Sequence, residues 1–299
     1  MVAISSPKYM QEVVRKFFTD EERALVASWP AHTPTDESIM KLGETIREPR
    51  TKAEEKLISH ERSIIMSINY AAVEFRPDLS FTASTLARYS GDYSELKHKL
   101  IMQTIKYMEK TCHMGYAFSA GSDQITGGES DVPEGWSDAS WVVHDKKTKA
   151  RSMSGRCYRM GNGPLHWTAK AQQAQAPSTA SAEMRSIIEG IADGITLREV
   201  AYEYNIPQPE PMNIYTDNTA AVFISEDAAS MKRTRADARG AVIVQDAVEE
   251  GVCQMKHWPG NNNIADIFTK WLPRNEFQRY RSMLLNLPAQ RKLGLPVDD

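Results

Sequence analysis

Apolar residues recur at helical spacing along the first part of the chain, then at alternating spacing after a break rich in Gly, Ser and Asp. Tyr9–Phe18 and Glu61–Ala72 read as amphipathic helices; Arg76-Pro77-Asp78 interrupts, and helices resume over Leu79–Tyr89 and Leu96–Met108. Between the first two, Pro30–Lys56 is polar and Pro-containing, so irregular and partly disordered chain is expected there. The break, Ser119–Pro133, lacks periodicity and reads as a linker or long loop. Beyond it Gly135–Val143, Ser154–Met160 and Pro164–Thr168 alternate as strands around Gly-containing turns. A long helix is expected from about Ser178 to Tyr204, then a strand over Met212–Asp217 and helices over Thr219–Glu226 and Arg235–Glu250. The strand Val252–Trp258 and a helical pair, Ile264–Lys270 and Glu276–Leu285, complete the pattern. Five strands with interspersed helices predict a layered α/β domain with a mixed sheet. No internal repeat is visible.

Composition changes this picture little. The 299 residues suffice for two ordinary domains, and 41% hydrophobic with 25% charged residues is a globular balance. No apolar run has the length of a membrane span, and the N-terminus lacks the charged-then-apolar pattern of a signal peptide. Cys112, Cys157 and Cys253 lie far apart without a Cys-x-x-Cys pair, which argues against zinc and against a disulfide framework. A reducing, intracellular compartment, cytoplasmic or nuclear, is therefore expected. The net charge of −3 counts mildly against a nucleic-acid partner, although Lys146–Arg151 and Lys232–Arg235 are local basic clusters.

Four acids occupy positions where acids are uncommon. Glu183 stands one turn before Ile187, in line with a stripe of Ile187, Ile191 and Ile195 supported by Met184 and Ile188. A carboxylate on a buried stripe is costly without compensation, and a metal ion is one source of it. Capped by Ser178 or Thr179, Glu183 also suits the helix dipole and need do nothing more. Asp138 lies mid-strand on the face of Trp136 and Ser140, where the plain alternative is a solvent-facing Asp. Asp217 ends a strand just before Asn218 and a helix, the place of a ligand group or of a simple cap. Asp266 is flanked by apolar residues and reads equally as a first-turn carboxylate. Carboxylates gathered on four elements repel one another, and hard divalent cations such as Mg²⁺ relieve that repulsion. Two such ions serve phosphoryl displacement. No Ser-His-Asp or Cys-His arrangement competes.

The ordered motifs Ser137-Asp138-Ala139, Arg151-Ser-Met-Ser-Gly155, Trp167-Thr-Ala-Lys170, Ala182-Glu183, Tyr215-Thr-Asp-Asn218 and Ala265-Asp-Ile-Phe-Thr-Lys270 followed by Leu272-Pro273 resemble the RNase H domain of copia-type retrotransposon Pol polyproteins. The resemblance implies an RNase H-like fold, a mixed five-stranded sheet flanked by helices, over residues 134–287. Upstream, Tyr9–Phe18, Arg62-Ser63, Tyr70, Arg76-Pro-Asp78 and Ala87-Arg88 resemble the thumb and connection region of the same polyproteins, which assigns a mainly helical region to 1–118. Residues 119–133 are then a linker and 288–299 a C-terminal tail. The polymerase's paired aspartates are absent, since the adjacent Asp pair here is Asp298-Asp299; the chain looks like the C-terminal piece of such a polyprotein, without polymerase activity of its own.

Carried over residue by residue, Asp138, Glu183, Asp217 and Asp266 are expected to be catalytic and to hold two Mg²⁺ ions, with Mn²⁺ as a substitute. The implied reaction is hydrolysis of the RNA strand of an RNA–DNA hybrid, read through 2′-hydroxyls and phosphates. Arg151, Lys170, Asn218, Arg235, Arg239 and Lys256 are the implied nucleic-acid contacts, and the polymerase portion of a Pol polyprotein is an implied partner. Two departures bear on activity. Trp258–Ile264 is short and has no His after its Pro, where many relatives carry a mobile one. Thr234–Arg239 lacks the Lys-His pair common in this family. Intact acids favour an enzyme over a silent nucleic-acid-binding or interaction module. The missing polymerase core and the net charge favour the module, and the acids alone leave a DNA-directed nuclease open.

Overall fold

The computed structural model describes residues 1–28, 31–127, 132–226 and 238–296. The chain forms two compact units: residues 1–119, 145–150 and 270–299 make one, residues 120–144 and 151–269 the other.

The first unit is mainly helical. A short strand, β1 (Val2–Ile4), is followed by α1 (Pro7–Phe17), α2 (Asp20–Ser28) and α3 (Leu42–Thr45). The long α4 (Lys52–Glu74), α5 (Ser80–Arg88) and α6 (Glu95–Lys110) come next, and β2 (Tyr116–Phe118) pairs antiparallel with β1. The stretch Pro30–Lys56, expected to be partly disordered, is structured where it is described. Asp36 caps a 3₁₀ turn over Glu37–Lys41 by accepting from Ser38 N, and Ile39 and Leu42 are buried. Helix α4 starts nine residues before the expected Glu61, because Thr51 accepts from Glu54 N at 3.2 Å and Glu54 and Glu55 suit the N-terminal dipole.

The interruption Arg76-Pro77-Asp78 is the buried hub of this unit. The Arg76 guanidinium grips both Asp78 oxygens at 2.8 and 2.7 Å, and also donates to Thr111 O at 2.9 Å. The Tyr107 hydroxyl donates to Asp78 Oδ2 at 2.5 Å and accepts from Arg281 at 3.1 Å. Arg281 belongs to α10 (Arg274–Leu285), so this helix packs with the first unit, with Phe277 edge-on to Tyr107 at 5.9 Å. The sheet unit therefore ends at Thr269 rather than at 287. The expected tail is helix α11 (Leu287–Lys292) in its first part, where buried Gln290 donates to Gly115 O at 2.8 Å.

The second unit is built on β3 (Glu134–Ser140), β4 (Met153–Met160), β5 (Gly163–Ala171), β6 (Met212–Thr216) and β7 (Cys253–His257), in the order β5-β4-β3-β6-β7. Strands β3, β4 and β5 form an antiparallel meander, while β6 and β7 run parallel to β3. This mixed five-stranded sheet flanked by helices is consistent with the expected RNase H-like fold. The β4–β5 turn places Gly161 and Asn162 at φ 59° and 61°, the left-handed pair that a two-residue hairpin requires. Helix α7 (Thr179–Glu203) starts at the expected cap, Ser178, and covers one face with α8 (Thr219–Glu226) and α9 (Ala238–Glu249). Its core side is Ile187, Gly190, Ile191 and Gly194, whereas Ile195, expected on the stripe, is 39% exposed. Tyr158 and Met212 fill the space against the two glycines, which rotates the buried face off Ile195.

The segment expected to be a linker is anchored where described. Asp123, buried, accepts from the backbone of Ile125 and Thr126 and pairs with Arg159 at 3.1 Å.

Candidate active site

Hydrogen bonds define which strand residues face which layer. Ser137 donates to Ser186 of α7 at 2.9 Å, so the odd residues of β3 face the helix layer and Trp136 and Asp138 point to the opposite face. On that opposite face Trp136 stacks on Tyr215 at 5.1 Å, and Tyr215 meets Trp258 edge-on at 4.9 Å. The parallel register pairs Trp136 with Tyr215. Two residues further along each strand stand Asp138 and Asp217, at the C-terminal ends of neighbouring parallel strands, where open α/β sheets gather functional groups.

Asp266 is brought to the same end by a 3₁₀ turn, Ile264–Phe268. Asn263 caps that turn by accepting from Ala265 N at 3.1 Å and donates to Ser137 O at 3.1 Å. The turn lies directly on β4 at Gly155, the register partner of Asp138. A Cβ at Gly155 would come within 2.5 Å of Thr269 Cγ2, 2.8 Å of Phe268 Cβ and 2.9 Å of Ala265 O. The Thr269 hydroxyl donates to Asp138 Oδ2. Asp138 and Asp266 are each 6% exposed. The loop carrying Gly260 closes over Asp217, so that a Cβ there would sit 2.9 Å from Asp217 Oδ2. The Trp258 indole holds this loop by donating to Asn262 O at 3.0 Å.

Glu183 lies half-buried near the start of α7, on the helix layer, one turn before the Ser186–Ser137 contact. The structure thus brings Asp138, Asp217 and the Asp266 turn to one end and one face of the sheet, with Glu183 on the layer behind. Among the described residues no group of three or more His, Cys, Asp or Glu side chains is arranged to hold a metal ion. An all-protein metal cage is therefore absent from them. The donors are hard carboxylate oxygens, and such a set suits Mg²⁺, which is commonly held by one or two carboxylates completed by water and substrate phosphate.

The expected nucleic-acid contacts are scattered. Lys170, Arg239 and Lys256 are exposed. Arg151 is exposed and donates to Gln173 O at 3.2 Å. Asn218 is buried and caps α8, with its Oδ1 accepting from Ala221 N at 3.0 Å. Arg235 lies outside the described residues. Gly155 and Thr269 stand inside the sequence motifs, and the structure adds both to the surroundings of Asp138. The three-residue step from Asp266 to Thr269, one helical turn, was the available signal.

No family model matches the chain. It is 24% identical over 223 residues to the retrovirus-related Pol polyprotein from transposon RE1 of Arabidopsis thaliana, covering 75% of this chain and 14% of the relative. It is 22% identical over 281 residues to the corresponding polyprotein from transposon TNT 1-94 of Nicotiana tabacum, covering 94% of this chain and 20% of the relative. The chain is thus similar to a segment of retrotransposon Pol polyproteins, and spans a minor part of their length. A foamy viral protease-reverse transcriptase, solved in complex with RNA/DNA hybrid, aligns with 80% of this chain and 28% of its own at 8% identity, with a TM-score of 0.34. Among the described residues no helix is long and apolar enough to cross a membrane.

Proposed function

We propose that the sheet unit is a ribonuclease of the RNase H type, which hydrolyses the RNA strand of RNA–DNA hybrids as part of a retroelement Pol protein acting inside the cell. One observation carries this reading: Asp138, Asp217 and the turn bearing Asp266 share one end and one face of a sheet with the RNase H strand order. Asp138, Asp217 and Asp266, with Glu183 from the helix layer, are the residues that would hold two Mg²⁺ ions, or Mn²⁺ in their place. Bound there, the cations would supply electrophilic stabilisation for phosphoryl transfer. The chain's own contribution is orientation. The Thr269 hydroxyl holds Asp138, the Gly260 loop confines Asp217, and the aromatic row Trp136–Tyr215–Trp258 stiffens the strand ends beneath them. Lys170, Arg239 and Lys256 are exposed cations available to phosphates, and the polymerase portion of a Pol protein is the proposed partner that would help to clamp the hybrid.

A second reading has its own support. Because no three acids form a ready metal group among the described residues, a module that binds hybrid without cutting it is the alternative. Incubating the purified chain with labelled RNA–DNA hybrid, RNA duplex and DNA duplex, in Mg²⁺ or EDTA, separates the two. Mg²⁺-dependent cleavage of the hybrid alone is expected, and Asp138→Asn should lower it more than ~100-fold. Hybrid retention without cleavage would install the silent module instead, and preferential cutting of DNA duplex would replace the substrate.

A further inference from the structure

We infer that Thr269 is a positioning residue for Asp138, aimed by its packing against Gly155; this rests on the ribonuclease reading and names the group that orients its central acid. Thr269 is 1% exposed and closes the sheet unit. Its backbone N donates to Asp266 O at 3.1 Å, which ties its position to the turn that carries Asp266. Its methyl group lies where a Gly155 side chain would otherwise stand, 2.5 Å from the ideal Cβ position. A β-branched side chain has few χ1 choices, so seating the methyl group fixes where the hydroxyl points.

The hydroxyl has a single proton and two acceptors within reach, Asp138 Oδ2 and, at 3.3 Å, Asp266 O. The carboxylate wins it, because a hydrogen bond to a charged acceptor is shorter and stronger than one to a carbonyl. With Oδ2 committed to Thr269, the Asp138 carboxylate is held in one orientation and Oδ1 is the oxygen left on offer. One residue therefore couples three parts of the site: Gly155 on β4, Asp138 on β3 and the Asp266 turn.

Two substitutions separate the hydroxyl from the methyl group. Thr269→Val keeps shape and packing and removes the donor; Thr269→Ser keeps the donor and removes the methyl group. Both are measured for hybrid cleavage, for melting temperature, and for Mn²⁺ binding by titration calorimetry. Hydrogen-bond partners of metal-ligating groups typically contribute ~10–100-fold, so Thr269→Val should lower kcat by ~10–100-fold and weaken Mn²⁺ by ~10-fold or more. KM for the hybrid should stay within ~2-fold in both variants, and Thr269→Ser, which keeps the donor but loses the methyl seat that aims it, should lower kcat clearly less than Thr269→Val does. A Thr269→Val protein that cleaves and binds Mn²⁺ like the parent overturns the inference while leaving the ribonuclease standing. Equal losses in both variants overturn it too, since packing alone would then explain them. A parent that cleaves nothing removes the ribonuclease reading and this inference together.

Discussion

Asp78 in the helical unit and Asp138 in the sheet unit are buried to nearly the same degree, 2% and 6% exposed, yet they are satisfied by different chemistry. Asp78 is gripped through both oxygens by Arg76 and accepts a third hydrogen bond from Tyr107. Burial alone would favour its neutral form, but the Arg76 charge and these bonds hold its carboxyl below the usual range, while burial beside Asp78 pushes Tyr107 up to about 12. Asp138 instead accepts from a neutral hydroxyl, that of Thr269. A charge matched inside the protein is part of the framework. An acid held by a neutral hydroxyl is a different case, since buried acids without a matching cation collect at functional sites.

The largest expected effect tests the matched half of this contrast. Asp78→Asn leaves Arg76 buried without its counter-charge, and breaking a buried pair by removing one partner costs roughly 3–5 kcal/mol. Urea unfolding followed by helical circular dichroism should show that loss; a cost below ~1 kcal/mol would mean that the Arg76 grip is not what holds the unit. Next in size is Gly155→Ala. Its Cβ collides with Thr269, Phe268 and Ala265, so the 3₁₀ turn must lift off β4, an overpacking cost of about 1–3 kcal/mol. Cleavage should fall with stability, because the lifted turn carries both Asp266 and Thr269. Unchanged cleavage would show that the turn need not touch β4.

Asp138→Asn is expected to move stability by less than ~1 kcal/mol in either direction, since an amide keeps the Thr269 contact and removes a buried charge. That near-neutrality, beside lost cleavage, is the sharpest form of the comparison. If Asp138→Asn destabilised as much as Asp78→Asn, the carboxylate would be structural and the site assignment would lose its distinctive support.

These contrasts also show what the sequence carried. The strand alternation, the Ser178 cap and the Gly161-Asn162 turn are local signals, and each is realised where it stands. Asp138 on the face of Trp136, and Asp217 just past the end of β6, could be placed because strand period is a local pattern; the register between the two strands is not. The start of α4 carries a recognisable cap in Thr51 and Glu54, but the polar, Pro-containing chain before Glu61 has no apolar period to mark a helix there. The allegiance of α10 had no local signal: Phe277 and Arg281 read as one amphipathic stripe whichever core they enter, and only their contacts with Tyr107 assign them. The Gly155–Thr269 fit is likewise a contact between elements over a hundred residues apart in sequence, invisible to any periodicity.

The smallest prediction concerns a carboxylate intermediate between these two extremes. Glu61, 2% exposed, is paired with buried Lys97 at 2.9 Å and also meets half-exposed His98 at 3.1 Å. The hydrogen bond to Glu61 raises the His98 pKa, helped by the charges of Glu61 and Glu22 and opposed by burial and Lys97. A folded-state pKa above the unfolded value of about 6.5 means that His98 stabilises the fold fully below that value. The contribution is lost as pH rises through the folded pKa. Because His98 is half exposed, solvent screening limits it to a few tenths of a kcal/mol, roughly 0.3–0.5. His98→Gln should therefore unfold slightly more easily than the parent at pH 5.5 and match it at pH 8.5, by urea titration at each pH. A variant that fell behind at pH 8.5 instead would show that Glu61 draws its support from the neutral ring, and that Lys97 alone supplies the counter-charge.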